Sequence, residues 1–420
     1  MIIALVIVFV LGYLAITLEH SIRLNKAASA LLLGGICWTI LIAGSPDKHE
    51  VLTHLEKHTG EISGILFFLL GAMTIVELID AHDGFQVISE RLRTRSAPVL
   101  LLLVALLTFF LSAALDNLTT AIVMVSLLRK LIGDPQMRFK FIGLVIIAAN
   151  AGGAWSPIGD VTTTMLWIGG QVSAGHVVSS LLLPSLVCVT VPLLLFMFQL
   201  RGKKIAPVEK ESAADTSGAE RNIIFFSGVF ILVLVPVFKT ITHLPPYVGI
   251  LIGLGLVWVI SEILHKDKDE ADKATFSVVH ALRKIDTPSI LFFLGILLAV
   301  GALGAAGVLT DAAQWLDQSV GNVFVILLLI GLLSAILDNV PLVAAVMGMY
   351  SMQQYAQDDF FWTFLAYCAG VGGSTLIIGS AAGVAAMGME KIGFFWYVRN
   401  ISLPALLGYF AGAGVFMLFR

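Results

Sequence analysis

An all-α polytopic membrane protein built from two inverted-topology repeats is the fold class this sequence predicts, and three observations carry it. The 420 residues are 58% hydrophobic and only 13% charged, with mean hydropathy +0.96, against roughly 25% charged residues in an ordinary soluble domain. Apolar runs long enough to cross a bilayer, ~20 residues as helix, recur from end to end. A six-residue string also occurs twice with one substitution, 222 positions apart: Ser112-Ala113-Ala114-Leu115-Asp116-Asn117 and Ser334-Ala335-Ile336-Leu337-Asp338-Asn339. An aspartate inside a membrane segment costs about 2.5–3.5 kcal/mol on insertion scales. The same costly pair at matching places points to a duplicated fold with its site where the halves meet.

The first repeat, residues 1–200, is predicted to place spans at Ile2–Leu18, Ala27–Gly44 and Ile62–His82. A segment Ala97–Ile132 interrupted at Asp116-Asn117 follows, then a Gly-broken segment Phe139–Gly170 and a span at Val177–Leu200. Residues 201–221 carry Lys, Glu, Ser, Ala and Gly without apolar periodicity and read as a linker. The second repeat, residues 222–420, keeps the order: Asn222–Thr240, Pro246–Leu264, Thr287–Thr310, interrupted Asn322–Tyr350, Gly-broken Phe360–Glu390 and Asn400–Phe419. Two further landmarks recur in register. Ile65-Leu66-Phe67-Phe68-Leu69 matches Ile290-Leu291-Phe292-Phe293-Leu294, 225 residues on, and Gly152-Gly153 with Gly159 matches Gly372-Gly373 with Gly379, 220 on. The run Ile2–Leu18 has no basic residue before it and no small-residue cleavage site, so it reads as a retained span.

Each interrupted segment reads as a re-entrant hairpin. Beyond Asn117, the apolar stretch Leu118–Leu128 is 11 residues, about 16 Å of helix and half the hydrocarbon thickness. A polar tip at that depth is tolerable only inside protein or against a wet cavity. Five spans and one hairpin per repeat then invert the second repeat relative to the first. Basic residues agree with this arrangement. With both termini outside, all but four of the 25 Lys and Arg (Lys48, Lys57, Lys239 and Arg420) fall in cytoplasmic loops or the linker.

The first tip, Leu115-Asp116-Asn117-Leu118-Thr119-Thr120, puts an acid just before a helical limb, where an N-cap and the limb's dipole stabilise a carboxylate. Ser or Thr would cap at lower cost, which favours a task for Asp116 beyond capping. The broken segment Asn150-Ala151-Gly152-Gly153-Ala154-Trp155-Ser156-Pro157-Ile158-Gly159-Asp160-Val161-Thr162-Thr163 is poorly suited to continuous helix and well suited to an unwound stretch. Unwinding offers carbonyl oxygens, Asp160 caps the second half-helix, and Asn150, Ser156, Thr162 and Thr163 add uncharged oxygens. A Gly/Pro kink packed by polar residues would explain the glycines but not Asp160. In the second repeat Asp338 and Asn339 persist, Pro341 and Leu342 replace Thr119 and Thr120, Gly370 replaces Asn150, and Ser380 replaces Asp160. Ser374, Thr375 and Ser380 are its candidate oxygens, and Asp338 either completes the cation site or carries a proton.

Other features rank lower. Glu77 and Asp80 fit a cation funnel or a solvated interface equally, and His82 or His176 could sense pH, with ordinary exposed histidine the preferred reading. Cys37, Cys188 and Cys368 are scattered in apolar runs, which argues against a disulfide framework or metal cluster. Without a Walker A string, metalloprotease motif or nucleophile elbow, neither ATP hydrolysis nor catalysis is indicated.

At the first tip and at Asn150 through Thr163 the chain resembles the ion transporter superfamily, most closely its NhaD-type sodium/proton antiporters, over nearly all 420 residues. The resemblance implies ten or more spans, two oppositely entering hairpins, two broken helices and a homodimer. It also implies that Asp116, Asn117, Asn150, Asp160, Thr162 and Thr163 serve Na⁺/Li⁺ exchange. The expected function is export of Na⁺, and of Li⁺, against protons by alternating access in the cell inner membrane. The Na⁺ site is expected among Asp116, Asn117, Asn150, Asp160 and Thr163, with Thr120 and Ser156 beside it, no cofactor and no nucleic-acid partner. An arsenite export permease of the same superfamily is the alternative, though it needs fewer hard oxygens. A dicarboxylate carrier would meet repulsion from the tip acids. A channel needs no two gated halves.

Overall fold

Lipid offers no partner for backbone N–H and C=O groups, so a chain this apolar must satisfy them within helices. The computed structural model describes residues 1–17, 19–89, 94–205, 217–266, 276–377 and 379–419. Among the described residues, nine helices are long and apolar enough to cross a membrane. Much of the linker expected at 201–221 (residues 206–216), together with Leu18, Arg91, Arg93, Lys210, Lys268, Lys273 and Arg420, lies outside the described residues.

The first half contains α1 (Ile2–Thr17), α2 (Lys26–Gly44), α3 (Lys48–Ala81), α4 (Ala97–Ala114), α5 (Asn117–Leu131), α6 (Pro135–Ala154), α7 (Val161–Ile168) and α8 (Ala174–Gln199). The second contains α9 (Gly218–Thr242), α10 (Pro246–Leu264), α11 (Thr287–Ala305), α12 (Val308–Val320), α13 (Val323–Leu333), α14 (Asn339–Met349), α15 (Phe360–Gly372) and α16 (Ala381–Glu390). The chain ends in α17 (Phe394–Leu418), which includes a π-turn at Val398–Ser402.

The same local architecture recurs. Helix α2 packs on α11 as α10 packs on α3. Ser112 donates to the Ala149 carbonyl at 2.6 Å, and Ser334 donates to that of Ala369 at 2.9 Å, tying each interrupted pair to its broken helix. The second limb of each pair crosses over: α5 packs on α16 and α14 packs on α7.

Both interrupted pairs fold back on themselves. Ser96, ahead of α4, bridges Lys204 beyond the end of α8, and Lys140 near the start of α6 bonds Gln199 at that same end. Thus α4 and α5 leave from and return to the C-terminal end of α8. At the second pair, Phe324 in the first turn of α13 stacks on Phe364 of α15 (4.7 Å between centroids), and Tyr350 after α14 lies 4.7 Å from Phe361. Asp358, just before α15, accepts from the Ser173 amide at the N-terminal end of α8. Helix α8 has 26 residues, about 39 Å, so the two pairs start from opposite ends of it.

Several boundaries differ from the expected ones. Helix α3 begins at Lys48 rather than Ile62, because Asp47 caps it and the polar turns before Ile62 still propagate helix. Helix α11 stops at Ala305 rather than Thr310, where Gly307 turns the chain at φ 76°. A separate α12 follows, bent by 114° from α13. Helix α1 has only 16 residues, and α17 begins at Phe394 rather than Asn400.

Candidate cation site at the first hairpin tip

Asp116 links α4 to α5 as the N-cap of α5. Its Oδ1 accepts from the Thr119 amide at 2.8 Å and its Oδ2 from the Thr119 hydroxyl at 2.7 Å. The backbone at Asp116 lies at φ 140°, ψ 164°, a region that glycine alone occupies freely. Asn117 follows, 5% exposed, and its amide nitrogen donates to Asn150 Oδ1 and to Asp160 Oδ2, both at 3.1 Å. The hairpin tip thereby grips the broken helix.

The break itself is built as the glycines require. Between α6 and α7, residues 155–160 leave regular helix, and Asp160 caps α7, accepting from the Thr162 amide at 2.9 Å and hydroxyl at 3.0 Å. Ser156 donates to the Ala113 carbonyl at 2.5 Å, Thr163 to Ala154 at 3.4 Å and Thr164 to Pro157 at 2.9 Å. These hydroxyls brace the unwound turn. The Thr120 hydroxyl is fully buried and has no hydrogen-bond partner among the described residues.

The second half contributes through Asn150, whose amide nitrogen donates to Ser374 Oγ at 3.0 Å and Ser380 Oγ at 2.9 Å. Asn117, Asn150, Asp160, Ser374 and Ser380 therefore form one buried hydrogen-bonded chain spanning both halves. Gly370, where the first half has Asn150, packs close to the first broken helix: a Cβ there would sit 3.1 Å from the Ala154 Cβ and in ordinary contact, 3.4 Å, with Asp160 Oδ2. Asp116, Asn117, Asp160, Asp338 and Asn339 all line a cavity of about 60 Å³. Met73, Leu118 and Thr119 also line a second cavity of about 260 Å³, which extends past Glu77 and Asp80 to Lys130, Lys284 and Asp286. Among the described residues no group of three or more His, Cys, Asp or Glu is placed to hold a metal ion.

Asp338, the acid of the second tip, has a basic neighbour. Its Oδ2 lies 3.5 Å from the ammonium of Lys26, the first residue of α2. The sequence placed Lys26 in a loop; the only sign of its role was its position immediately before an apolar run. Thr119 is the other residue that sequence reasoning left out of the site, although it lies in the tip motif itself.

The citrate transporter family, CitMHS, matches residues 1–370. Sodium/proton antiporter 1 of Arabidopsis thaliana is 49% identical over 418 residues, covering 99% of this chain and 72% of that relative. The Na⁺/H⁺ antiporter NhaD of Vibrio cholerae is 31% identical over 438 residues, covering 97% and 89%. Among solved structures, the YdaH transporter of Alcanivorax borkumensis, described as having an unusual topology, shares the fold with a TM-score of 0.57. It is 14% identical, over 94% of this chain and 99% of that one. Matches of that length and identity make the chain a member of the CitMHS family and, within it, of the NhaD-type sodium/proton antiporters.

Proposed function

We propose that the protein is a secondary active transporter exchanging cytoplasmic Na⁺, and also Li⁺, for external H⁺ by alternating access. The observation that carries this is the Asn117 amide bridging Asn150 and Asp160 beside the capped Asp116. One alkali cation takes carboxylate oxygen from Asp116 and Asp160, and neutral oxygen from Asn117, Asn150, Thr163 and the unpartnered Thr120 hydroxyl. Protons take the same carboxylates when the cation leaves, so neither state leaves two bare charges at mid-membrane. Residues 1–200 and 222–420 act as two inverted halves, and the chain of bonds through Ser374 and Ser380 lets each sense the other. The basic loops set the membrane side: the linker and Lys130 face the cytoplasm, and the larger cavity is then the cytoplasmic approach. A cysteine replacing Ser212 should resist an impermeant thiol reagent on intact cells; ready labelling would reverse that orientation.

The family's description favours a second reading, citrate transport. A tricarboxylate in the smaller cavity would face Asp116, Asp160 and Asp338 with Lys26 as the one basic side chain among the lining residues. Like charges at such spacing repel by several kcal/mol in a low-dielectric site, which favours the cation. Inside-out vesicles holding a pH gradient decide. Added Na⁺ or Li⁺ should dissipate the gradient, and Asp116→Asn or Asp160→Asn should abolish the response. Citrate-driven proton movement without a cation response would establish the second reading, and arsenite efflux would establish a permease.

A further inference from the structure

The two Leu-Asp-Asn tips are matched in sequence but not in charge. Asp338 faces the Lys26 ammonium at 3.5 Å, and that ammonium also lies over the Phe292 ring, 4.5 Å from its centroid. The offset of 225 that matches the Phe-Phe landmarks pairs Phe292 with Phe67. The ring on Phe67 is that of Tyr247, at 6.4 Å. Tyr247 stands in the first turn of α10 and Lys26 in the first turn of α2, the two helices that pack alike on α3 and α11. One scaffold position thus holds a cation next to the second tip and a phenol at the corresponding place in the other half. Helix α10 carries no Lys or Arg anywhere along Pro246–Leu264.

We propose that Lys26 is a tethered cation filling, at Asp338, the place that a transported alkali ion takes at Asp116. Of the two matched tips, only the first then draws its cation from solution. This rests on the exchange reading above and adds to it: Asp338 is removed from the set of acids that cargo neutralises. The chemistry fits on three counts. A carboxylate in a membrane needs a compensating charge, and the structure supplies one here from within the chain. An ammonium can sit over an aromatic face as a desolvated cation does, so Phe292 serves as the floor of the position. The backbone agrees as well. Asp338 caps α14 at a relaxed φ −58°, ψ 135°, whereas Asp116 is held at φ 140°, so only the first tip keeps its carboxylate in a strained, directed pose. Both members of the pair line the small cavity and keep 30% and 22% of their side-chain surface accessible. A solution cation could therefore reach Asp338 were the lysine gone.

The test is the number of ²²Na⁺ ions bound per chain by the purified, detergent-solubilised protein. Wild type should bind one. Lys26→Gln should bind a second, with steeper, sigmoidal Na⁺ dependence of exchange in proteoliposomes. Lys26→Arg should restore one ion and a hyperbolic dependence, which a merely structural loss would not do. The double variant Lys26→Gln/Asp338→Asn should also return to one. Asp338→Asn alone should keep the single ion. If Lys26→Gln is folded yet still binds one ion, or if Asp338→Asn loses the ion, the tethered cation is wrong. Should Lys26→Gln not fold, Asp338→Asn decides alone. Failure of the exchange reading itself is separate and would appear as unchanged Na⁺ binding in Asp116→Asn.

Discussion

Asp116 combines a cost with a use. Its φ of 140° is worth about 1–3 kcal/mol of strain for a residue with a Cβ, and both its carboxylate oxygens are pinned by Thr119. Asp116→Gly removes the carboxylate and the strain together, while Asp116→Ala removes the carboxylate and keeps the strain. Gly also costs only a few tenths of a kcal/mol at an N-cap where Ala costs about 1. The glycine variant should therefore unfold at higher temperature than the alanine variant in detergent, by the equivalent of about 1–3 kcal/mol, with both inactive in transport. An alanine variant as stable as the glycine one would show the tip to be unstrained. Asp116, Asn117, Asn150 and Asp160 were legible in the sequence because an acid or amide in an apolar run is expensive and therefore conspicuous. Lys26 was not, since a lysine at the start of a helix is ordinary and its partner lies 312 residues away.

Helices meet at this site through bare backbone. A Cβ on Gly152 would collide with the Phe109 carbonyl of α4, and one on Gly372 with the Gly331 carbonyl of α13. Each hairpin therefore touches its broken helix through a glycine with no room for a methyl group. Backbone cannot step aside as a side-chain tip can, so Gly152→Ala and Gly372→Ala should each destabilise by about 1–3 kcal/mol or more, the usual range for overpacking. Gly35→Ala, where nothing lies within 4 Å, should be neutral or stabilising by up to about 1 kcal/mol. Thermal unfolding of the three variants in one detergent checks this, and equal losses at all three would contradict close backbone packing. The recurrence of Gly152-Gly153 and Gly372-Gly373 made the breaks predictable. Helix α12 was not, because Val308–Val320 mixes Asp311, Gln314, Asp317 and Gln318 with apolar residues. Such a helix gives no spanning signal, and only the turn at Gly307 marks where it begins.

At the scale of the whole molecule, the two halves share one hydrogen-bonded chain and one small cavity, so the proposed exchange would make occupancy by cargo and the packing of the halves a single equilibrium. The halves are further tied by Glu390 of α16, which takes Arg138 of α6 at 2.9 Å and also Arg129 of α5, fastening the second broken helix to both the first broken helix and the first hairpin. If Lys26 compensates Asp338 as proposed, two acids remain for cargo, and linkage fixes how protons must affect them. A proton bound to either carboxylate excludes the cation, and by reciprocity the cation expels the proton. Lowering pH therefore raises the Na⁺ concentration needed for half-maximal exchange, while at high pH that concentration levels off. One shared proton gives a limiting tenfold rise per pH unit and two give a hundredfold, since each bound proton multiplies the apparent constant once. The pair Asp116 and Asp160 predicts the steeper limit, and Asp160→Asn, if it retains any exchange, the shallower one. Half-saturation by Na⁺ measured in inside-out vesicles at successive pH values reads the slope directly. A half-saturation constant indifferent to acid would mean that cation and proton travel by separate sites.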